Sequence, residues 1–526
     1  MPAPPTIRNT LVDEDVSFST FHHIIAEQNI PLYLTPGAVA TNSLSGGATT
    51  TRALADAISD VLQYCFDHKE PLCVPGATWS LSNILSPKNV LVDQGAYNKV
   101  VPVPQSMWSA DYKTAAAAKK AAPYLIGGGT KIASINRVLG KSKLALQTSG
   151  ANDGHLLAGC VATGTHGSAL DIGAVHDTVL GVYLVTAPGK AVFVQPTKRL
   201  FEPSLAATLA QNTGLSTTEL CDDDAYGAAI VGLGAMGFVH SMVVEAVPLY
   251  EFTGNVKALP LRDPDVWNAM ATLDTSKFGP GRPYHFSVVL SPYADDHANG
   301  AFVTTLWARP PSRPFADPTF ATSMSSTDTT RLISKLVDVF GGPVTGPILA
   351  KVISDQTAGQ YTPGKVGPLF PGQMFGPTTL PPGNGRSTEI VVDHKSTVAA
   401  LDVVLGALAS ERKNGRLLLG AIGVRFVKKT RSLLGMNIND MNTYIELPSL
   451  QSDQITQVHK ACWSALSNAG ITFTCHWGQE YGMNAQSVRG YYGDRVDRWK
   501  QARAKVLSPE AMAVFSNGLL ANVGLG

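Results

Sequence analysis

Residues 124–140, YLIGGGTKIASINRVLG, and 149–190, SGANDGHLLAGCVATGTHGSALDIGAVHDTVLGVYLVTAPGK, decide the fold. The first is a short apolar run that breaks at three glycines and continues with helical periodicity, which predicts strand, glycine turn and helix. The second concentrates glycine, small residues and hydroxyls more densely than any other part of the chain. Such a composition lets backbone amides close on a diphosphate with no side chain in the way. Together the two stretches predict a cofactor cradle on an alternating α/β frame.

Working outward, residues 54–66 have amphipathic helical spacing, and PLCVPGATWS (71–80) reads as a buried strand that turns sharply at Pro-Gly. NVLVDQGAYNKVV (89–101) reads as strand, turn, strand. After residue 250 the texture changes to longer alternating strands, HFSVVLSPY (285–293) and GAFVTTLWARPP (300–311), which predict a second domain with a mainly antiparallel sheet. Residues 361–386 are rich in Pro and Gly and predict a long loop, either a lid or a surface excursion. The tail from residue 494 starts as a charged helix and ends in a small apolar segment expected to pack back on the first half.

With 526 residues, 44% hydrophobic and 15% charged, the chain has the material for two or more globular domains. A net charge of +1 with dispersed Lys and Arg argues against nucleic acid as a partner. The six cysteines have no CxxC spacing and mostly apolar flanks, so free buried thiols are expected. The N-terminal residues lack the basic and apolar regions of a secretory signal, and no apolar run reaches membrane-spanning length, so the expected location is cytoplasmic.

Several motifs now fall in an order that carries a family resemblance. LAGCVATGTHGS (157–168) resembles the second flavin-binding segment of the vanillyl-alcohol oxidase-type (PCMH-type) FAD-binding oxidoreductases, and VPGATWSLSNI (74–84) sits where these have their first diphosphate loop. AAIVGLGAMGFVHSMVVEAVP (228–248) looks like the strand-turn-strand at the adenine end. CHWG (475–478) and FSNGLL (515–520) resemble signatures of the sugar-lactone and alditol oxidase branch, to which D-arabinono-1,4-lactone oxidase belongs.

The resemblance implies an α+β fold: a two-part FAD-binding domain over 1–252 (about 25–110 and 111–252), a substrate domain with a large mainly antiparallel sheet over 253–485, and a returning segment over 486–526. It also implies FAD contacts from Pro75, Gly76, Ala77, Thr78, Trp79 and Ser80 in the first loop. In the second segment they come from Gly150, Ala151, Gly159, Cys160, Thr163, Gly164, Thr165, His166, Gly167 and Ser168, and at the adenine end from Gly237 and Val239. Many such proteins tether FAD through a histidine before a serine in the first loop. Here the pair is Trp79-Ser80, so FAD is expected to be held non-covalently with the indole against the flavin edge. His155, His166 and His176 match no common ligand spacing, and no metal is expected.

The implied reaction is oxidation of a CH–OH group by hydride transfer to flavin N5. The branch places a Glu-x-Arg on a substrate-domain strand and a Lys after His-Trp-Gly. AIGVRFVKKT (421–430) keeps Arg425 but has Gly423 at the Glu position, and Gln479 stands at the Lys position. Loss of these polar groups predicts a substrate less polar than a sugar alcohol. Arg425, His476, Gln479 and Glu480 are the candidate catalytic residues, with His476 and Glu480 as proton acceptors and Glu480 or Glu446 as replacement carboxylates. GVRFVKKTRSLL (423–434) also resembles a strand of flavin-linked sterol oxidases.

An oxidase making hydrogen peroxide is expected if Gly150, rather than Ala151, lies by flavin C4a. The expected partners are therefore a small-molecule substrate and dioxygen or another electron acceptor. The alternatives are a dehydrogenase with a different acceptor, a flavoprotein performing a non-oxidative biosynthetic step, and a non-flavin hydrolase. The hydrolase lacks support, because no Gly-x-Ser-x-Gly elbow is present.

Overall fold

The computed structural model describes residues 7–25, 28–37, 47–150, 152–294, 299–316, 346–374 and 385–526. Among them the first strands, β1 (Thr10–Phe18), β2 (Gln28–Pro36), β3 (Leu72–Cys73) and β4 (Val90–Val92), form a four-stranded sheet in the order β1-β2-β4-β3. The helix Gly47–His68 carries the chain from β2 towards β3. Its buried Leu54, Ile58, Val61, Leu62 and Cys65 recur at three- and four-residue intervals, the spacing of one helical face.

The second sheet contains β5 (Val100–Pro102), β6 (Ala122–Gly127), β7 (Leu144–Leu146), β8 (Val179–Ala187), β9 (Lys190–Gln195), β10 (Ser216–Cys221) and β11 (Phe238–Pro248). Its order is β10-β9-β8-β11-β6-β5, and β7 also pairs with β11. β8 is buried at every position but its last, so its continuous apolar run reflects cover on both faces. The expected strand-turn-strand pair around 89–101 forms, but its two strands enter different sheets.

All pairings in the third sheet are antiparallel: β12 (Glu251–Pro260), β13 (His285–Leu290), β14 (Asn299–Arg309), β15 (Gly364–Leu369), β16 (Gly385–Asp393), β17 (Ile422–Lys428), β18 (Met441–Leu450) and β19 (Phe473–Cys475). The order is β15-β12-β14-β13-β17-β18-β16-β19. The helices Thr397–Lys413 and Ile455–Asn468 pack together over β16 and β18. Val424 and Phe426 of β17 are buried, while Arg425 between them is partly exposed on the other face.

Two stretches fold otherwise than their sequence suggests. The stretch 226–237 is not a strand before its turn. It holds the end of the helix Asp223–Ala229, whose first turn is capped by Asp222 accepting from the Ala225 amide. Nor is 361–386 one loop. Gly364–Leu369 forms β15 and pairs with β12 at the sheet edge, where proline is tolerated. The helix Pro371–Met374 follows, and Gly385 begins β16. Residues 375–384 of that stretch lie outside the described residues.

The tail does return to the first half. Arg503 Nε donates to the Ala235 carbonyl at 2.9 Å and Asn517 Nδ2 to the Leu233 carbonyl at 2.8 Å, which pins it against the turn before β11. All six cysteines carry free thiols. No helix among the described residues is long and apolar enough to cross a membrane.

Candidate active site

Gly76 follows β3 and Gly159 lies in the short helix Leu157–Thr163, and their backbones face each other. A Cβ on Gly76 would stand 3.3 Å from Gly159 Cα, tighter than nearly all real contacts. Both line a cavity of about 500 Å³ that reaches from Phe515, Asn517 and Gly237 at one end to Glu389, Arg425 and Gln479 at the other. The backbone amides of Gly76, Ala77, Thr78 and Trp79 find no acceptor among the described residues. Thr78 adopts φ +59°, a left-handed conformation that costs a β-branched residue energy and turns this loop into the cavity wall.

Trp79 lines the cavity with its indole stacked on Phe21 at 4.4 Å and tilted against His155 at 4.7 Å. Gly164 ends the helix Leu157–Thr163 at φ +78°, which only glycine adopts cheaply. A glycine-walled cleft with donor amides left over fits a dinucleotide diphosphate, so these residues fit FAD.

The far end is built differently, from side chains in one row across three strands. Glu389 of β16 stands directly opposite Glu446 of β18, and Glu446 directly opposite Gly423 of β17. Two facing carboxylates repel. Arg425 relieves the repulsion, with Nη1 3.1 Å from Glu389 Oε1 and 2.6 Å from Glu446 Oε2. A side chain on Gly423 would begin 3.5 Å from Arg425 Nη2 and 3.6 Å from Glu446 Oε2, in ordinary contact with both. Burial opposes the Arg425 charge, but Glu446 and then Glu389 outweigh it and raise the pKa above the usual arginine value.

His166 completes the row from the second segment, with Nε2 2.8 Å from Glu389 Oε2 and Nδ1 2.9 Å from the Gly167 carbonyl. Burial works against the Glu389 charge, but His166 and then Arg425 hold its carboxyl well below the usual carboxylate range. The row runs His166, Glu389, Arg425, Glu446, with a carboxylate on each side of the guanidinium.

The ligand atoms of His166, Glu389 and His476 lie within 4.8 Å of one another. Both ring nitrogens of His166 already face a partner, the Gly167 carbonyl and Glu389. His476 Nδ1 accepts the Gly478 amide at 3.0 Å, which places the imidazole hydrogen on Nε2. Burial lowers its pKa to about 4, against the pull of Glu389.

Of the FAD contacts expected from the motifs, Gly76, Ala77, Thr78, Trp79, Ser80, Gly150, Gly159, Cys160, Thr163, Thr165, His166, Gly167, Ser168, Gly237 and Val239 all line the cavity, as do Arg425, His476 and Gln479. Pro75 and Gly164 do not, and serve the turns beside it. Ala151 lies outside the described residues. Glu480 is absent from the lining: His459 Nδ1 holds its Oε2 at 2.7 Å and Arg386 Nε lies 3.4 Å from its Oε1. Gln479 closes a tight turn with its amide on the His476 carbonyl and meets the cavity, whereas Glu480 bridges to Thr388 beside β16 and does not.

His476, with its accepting nitrogen already engaged, is a donor rather than the expected proton acceptor. Sequence reasoning missed Glu389, His285, Arg386 and Ser387, which also line this end. The sequence offered little for Glu389 beyond a carboxylate placed just before the apolar run IVV (390–392).

No family model matches the chain. It is similar to an alditol oxidase of Streptomyces sp., 32% identical over 141 residues, covering 27% of this chain and 28% of that protein. An L-gulono-1,4-lactone dehydrogenase of Mycobacterium tuberculosis is 23% identical over 238 residues, 45% of this chain and 44% of its own length. The chain thus matches less than half the length of these curated relatives. In structure it resembles cholesterol oxidase from B. sterolicum, with a TM-score of 0.71 and 13% identity over 99% of both chains. The matches fall where the motifs pointed, among oxidoreductases of alditols, sugar lactones and sterols, and the α+β fold with its large antiparallel sheet is that of the cholesterol oxidase.

Proposed function

We propose that the chain is an FAD-dependent oxidoreductase that oxidises a CH–OH group to a carbonyl and passes the electrons to dioxygen. The observation that carries this reading is Arg425, fixed between two carboxylates at the end of a glycine-walled cavity. FAD, when bound, supplies an acceptor for the hydride of the alcohol carbon. Gly76, Gly159 and the first-loop amides would hold its diphosphate. The guanidinium of Arg425 is placed to stabilise negative charge developing on the substrate oxygen. His476 Nε2 adds a second donor there.

Trp79 stands where a tethering histidine would, packed between Phe21 and His155, and favours non-covalent FAD. Gly150 lies in the cavity wall, but a Cβ there would meet Thr165 Cγ2 at 2.7 Å, so dioxygen as acceptor rests on the resemblance to oxidases. The case for a less polar substrate is weaker than the motifs alone suggest, because Glu446 faces Gly423 and restores one of the two missing groups from a neighbouring strand. Gln479 in place of lysine, with Pro448 and Leu450 in the wall, still favours an alcohol with fewer hydroxyls than an alditol.

The test is anaerobic mixing of the FAD-loaded protein with alditols, aldono-1,4-lactones and sterols, followed by absorbance near the flavin maximum. Bleaching by one class, and return of colour with peroxide on admitting air, supports the reading. A yellow protein that no alcohol bleaches contradicts it, and bleaching that air does not reverse points to another acceptor.

A further inference from the structure

We propose that Glu446 is the catalytic base, its Oε1 taking the hydroxyl proton of the substrate while Arg425 fixes its Oε2. The assignment rests on the alcohol-oxidising reading above and deepens it at the same site. Two carboxylates meet Arg425, and they differ in what each has left to accept. Glu389 has Oε1 on Arg425 and Oε2 on His166, and its side chain is 2% exposed. Glu446 has Oε2 on Arg425, its side chain is 19% exposed, and it lines the cavity. Among the described residues its Oε1 meets only Ser387 Oγ at 3.4 Å and Gln479 Nε2 at 3.5 Å. Both are longer than ordinary hydrogen bonds, so Oε1 retains acceptor capacity.

Among the described residues, the other groups at this end are poor bases: burial, with Arg425 nearby, brings the His285 imidazole down to about 3. His476 has its accepting nitrogen on the Gly478 amide, and Glu480 is held by His459 and Arg386 away from the cavity. Gln479 Oε1 is a buried acceptor with no donor among the described residues, suited to orient a neighbouring hydroxyl. In the step, the O–H bond breaks and its proton goes to Glu446 Oε1. FAD, when bound, would supply the two-electron oxidant that takes the hydride from the alcohol carbon as its C–O single bond becomes C=O. Gly423 explains why the carboxylate comes from β18: the position beside Arg425 on its own strand is vacant, and the facing residue fills it.

The experiment uses FAD-loaded native protein, Glu446→Gln and Glu446→Ala, with the alcohol that bleaches the native protein. Glu446→Gln should keep the oxidised flavin spectrum while its anaerobic bleaching slows roughly 100-fold or more, the range for loss of a positioned base. Added formate should raise the melting temperature of Glu446→Ala, change its flavin spectrum saturably and recover part of the rate, with none of these effects on native protein. Where the single variants fail to fold, Glu446→Ala combined with Gly423→Glu returns a carboxylate to Arg425 from its own strand. That variant should recover both melting temperature and rate.

Bleaching of Glu446→Gln within a few-fold of native overturns the assignment alone. So does a formate effect on melting without any on rate, which would make Glu446 a positioning residue. Native protein that no alcohol bleaches overturns the reading beneath it, and the assignment with it.

Discussion

The two ends of the cavity are built on opposite principles. At the cradle end, backbone makes much of the wall: Gly76 against Gly159, Gly150, Gly237 and amides with no acceptor among the described residues, with Trp79 and Phe21 beside them. At the substrate end, side chains make the wall, and backbone serves only to set Gly423, Glu446 and Glu389 in register. A backbone wall recognises a group common to many proteins and tolerates little change. A side-chain wall can be redistributed among strands while its charges stay in place, as Glu446 opposite Gly423 illustrates.

The sharpest way to break this contrast is to remove the shared cation. Arg425→Met leaves Glu389 and Glu446 facing each other without a counter-ion, with Glu389 almost wholly buried. Breaking such a pair costs about 3 kcal/mol or more. The urea midpoint should fall accordingly and alcohol-dependent bleaching should disappear; unchanged stability would mean that the row is not held by Arg425.

At the cradle, Gly159→Val should spare the fold but lower FAD affinity by roughly 100-fold, equivalent to about 3 kcal/mol, because side-chain atoms would occupy the cleft opposite Gly76. Equilibrium dialysis of FAD against the apo-protein measures it. Native-like affinity would place the diphosphate elsewhere.

This asymmetry also explains what the sequence disclosed. The cradle was legible because its determinants are contiguous: GGGT, GTHGS and PGAT each announce a turn and a close approach within a few residues. The substrate wall was half legible. Arg425, Gln479 and His476 were found by motif, but the pairing of Glu389 with Glu446 and of Glu446 with Gly423 is a matter of strand register, which no local pattern encodes. The strand expected at 228–231 failed for another reason: a short apolar run has the same composition at the end of a buried helix as in a strand. Gly364, Gly367 and Pro368 predict a loop because they look like breakers, yet the edge strand β15 accommodates them.

Acid should separate the two ends less drastically. Burial lowers the pKa of His240 to about 4, of His285 to about 3 and of His476 to about 4, while Glu389 is held low by His166 and Arg425. The unfolded histidines titrate near roughly 6.5, so below that pH the unfolded state binds more protons than the folded one. Their contribution is complete above that value and is lost as pH falls towards 4, and that of Glu389 is lost below it. The melting temperature should therefore drop steadily from pH 7 to 4.5; a flat profile would contradict the burial of these imidazoles.

The smallest effect belongs to Trp79→Ala. It removes the stacking on Phe21 and His155, worth about 1 kcal/mol, and should weaken FAD retention several-fold without changing the pH profile.

The most direct test of the whole account is the colour of the purified protein after acid precipitation. Yellow released to the supernatant as FAD is the expected result, since it requires both the backbone cradle and Trp79 in place of a tethering histidine. Colour retained in the pellet would contradict the reading of the first loop. No colour in either fraction, with no binding of added FAD, would contradict the cradle itself.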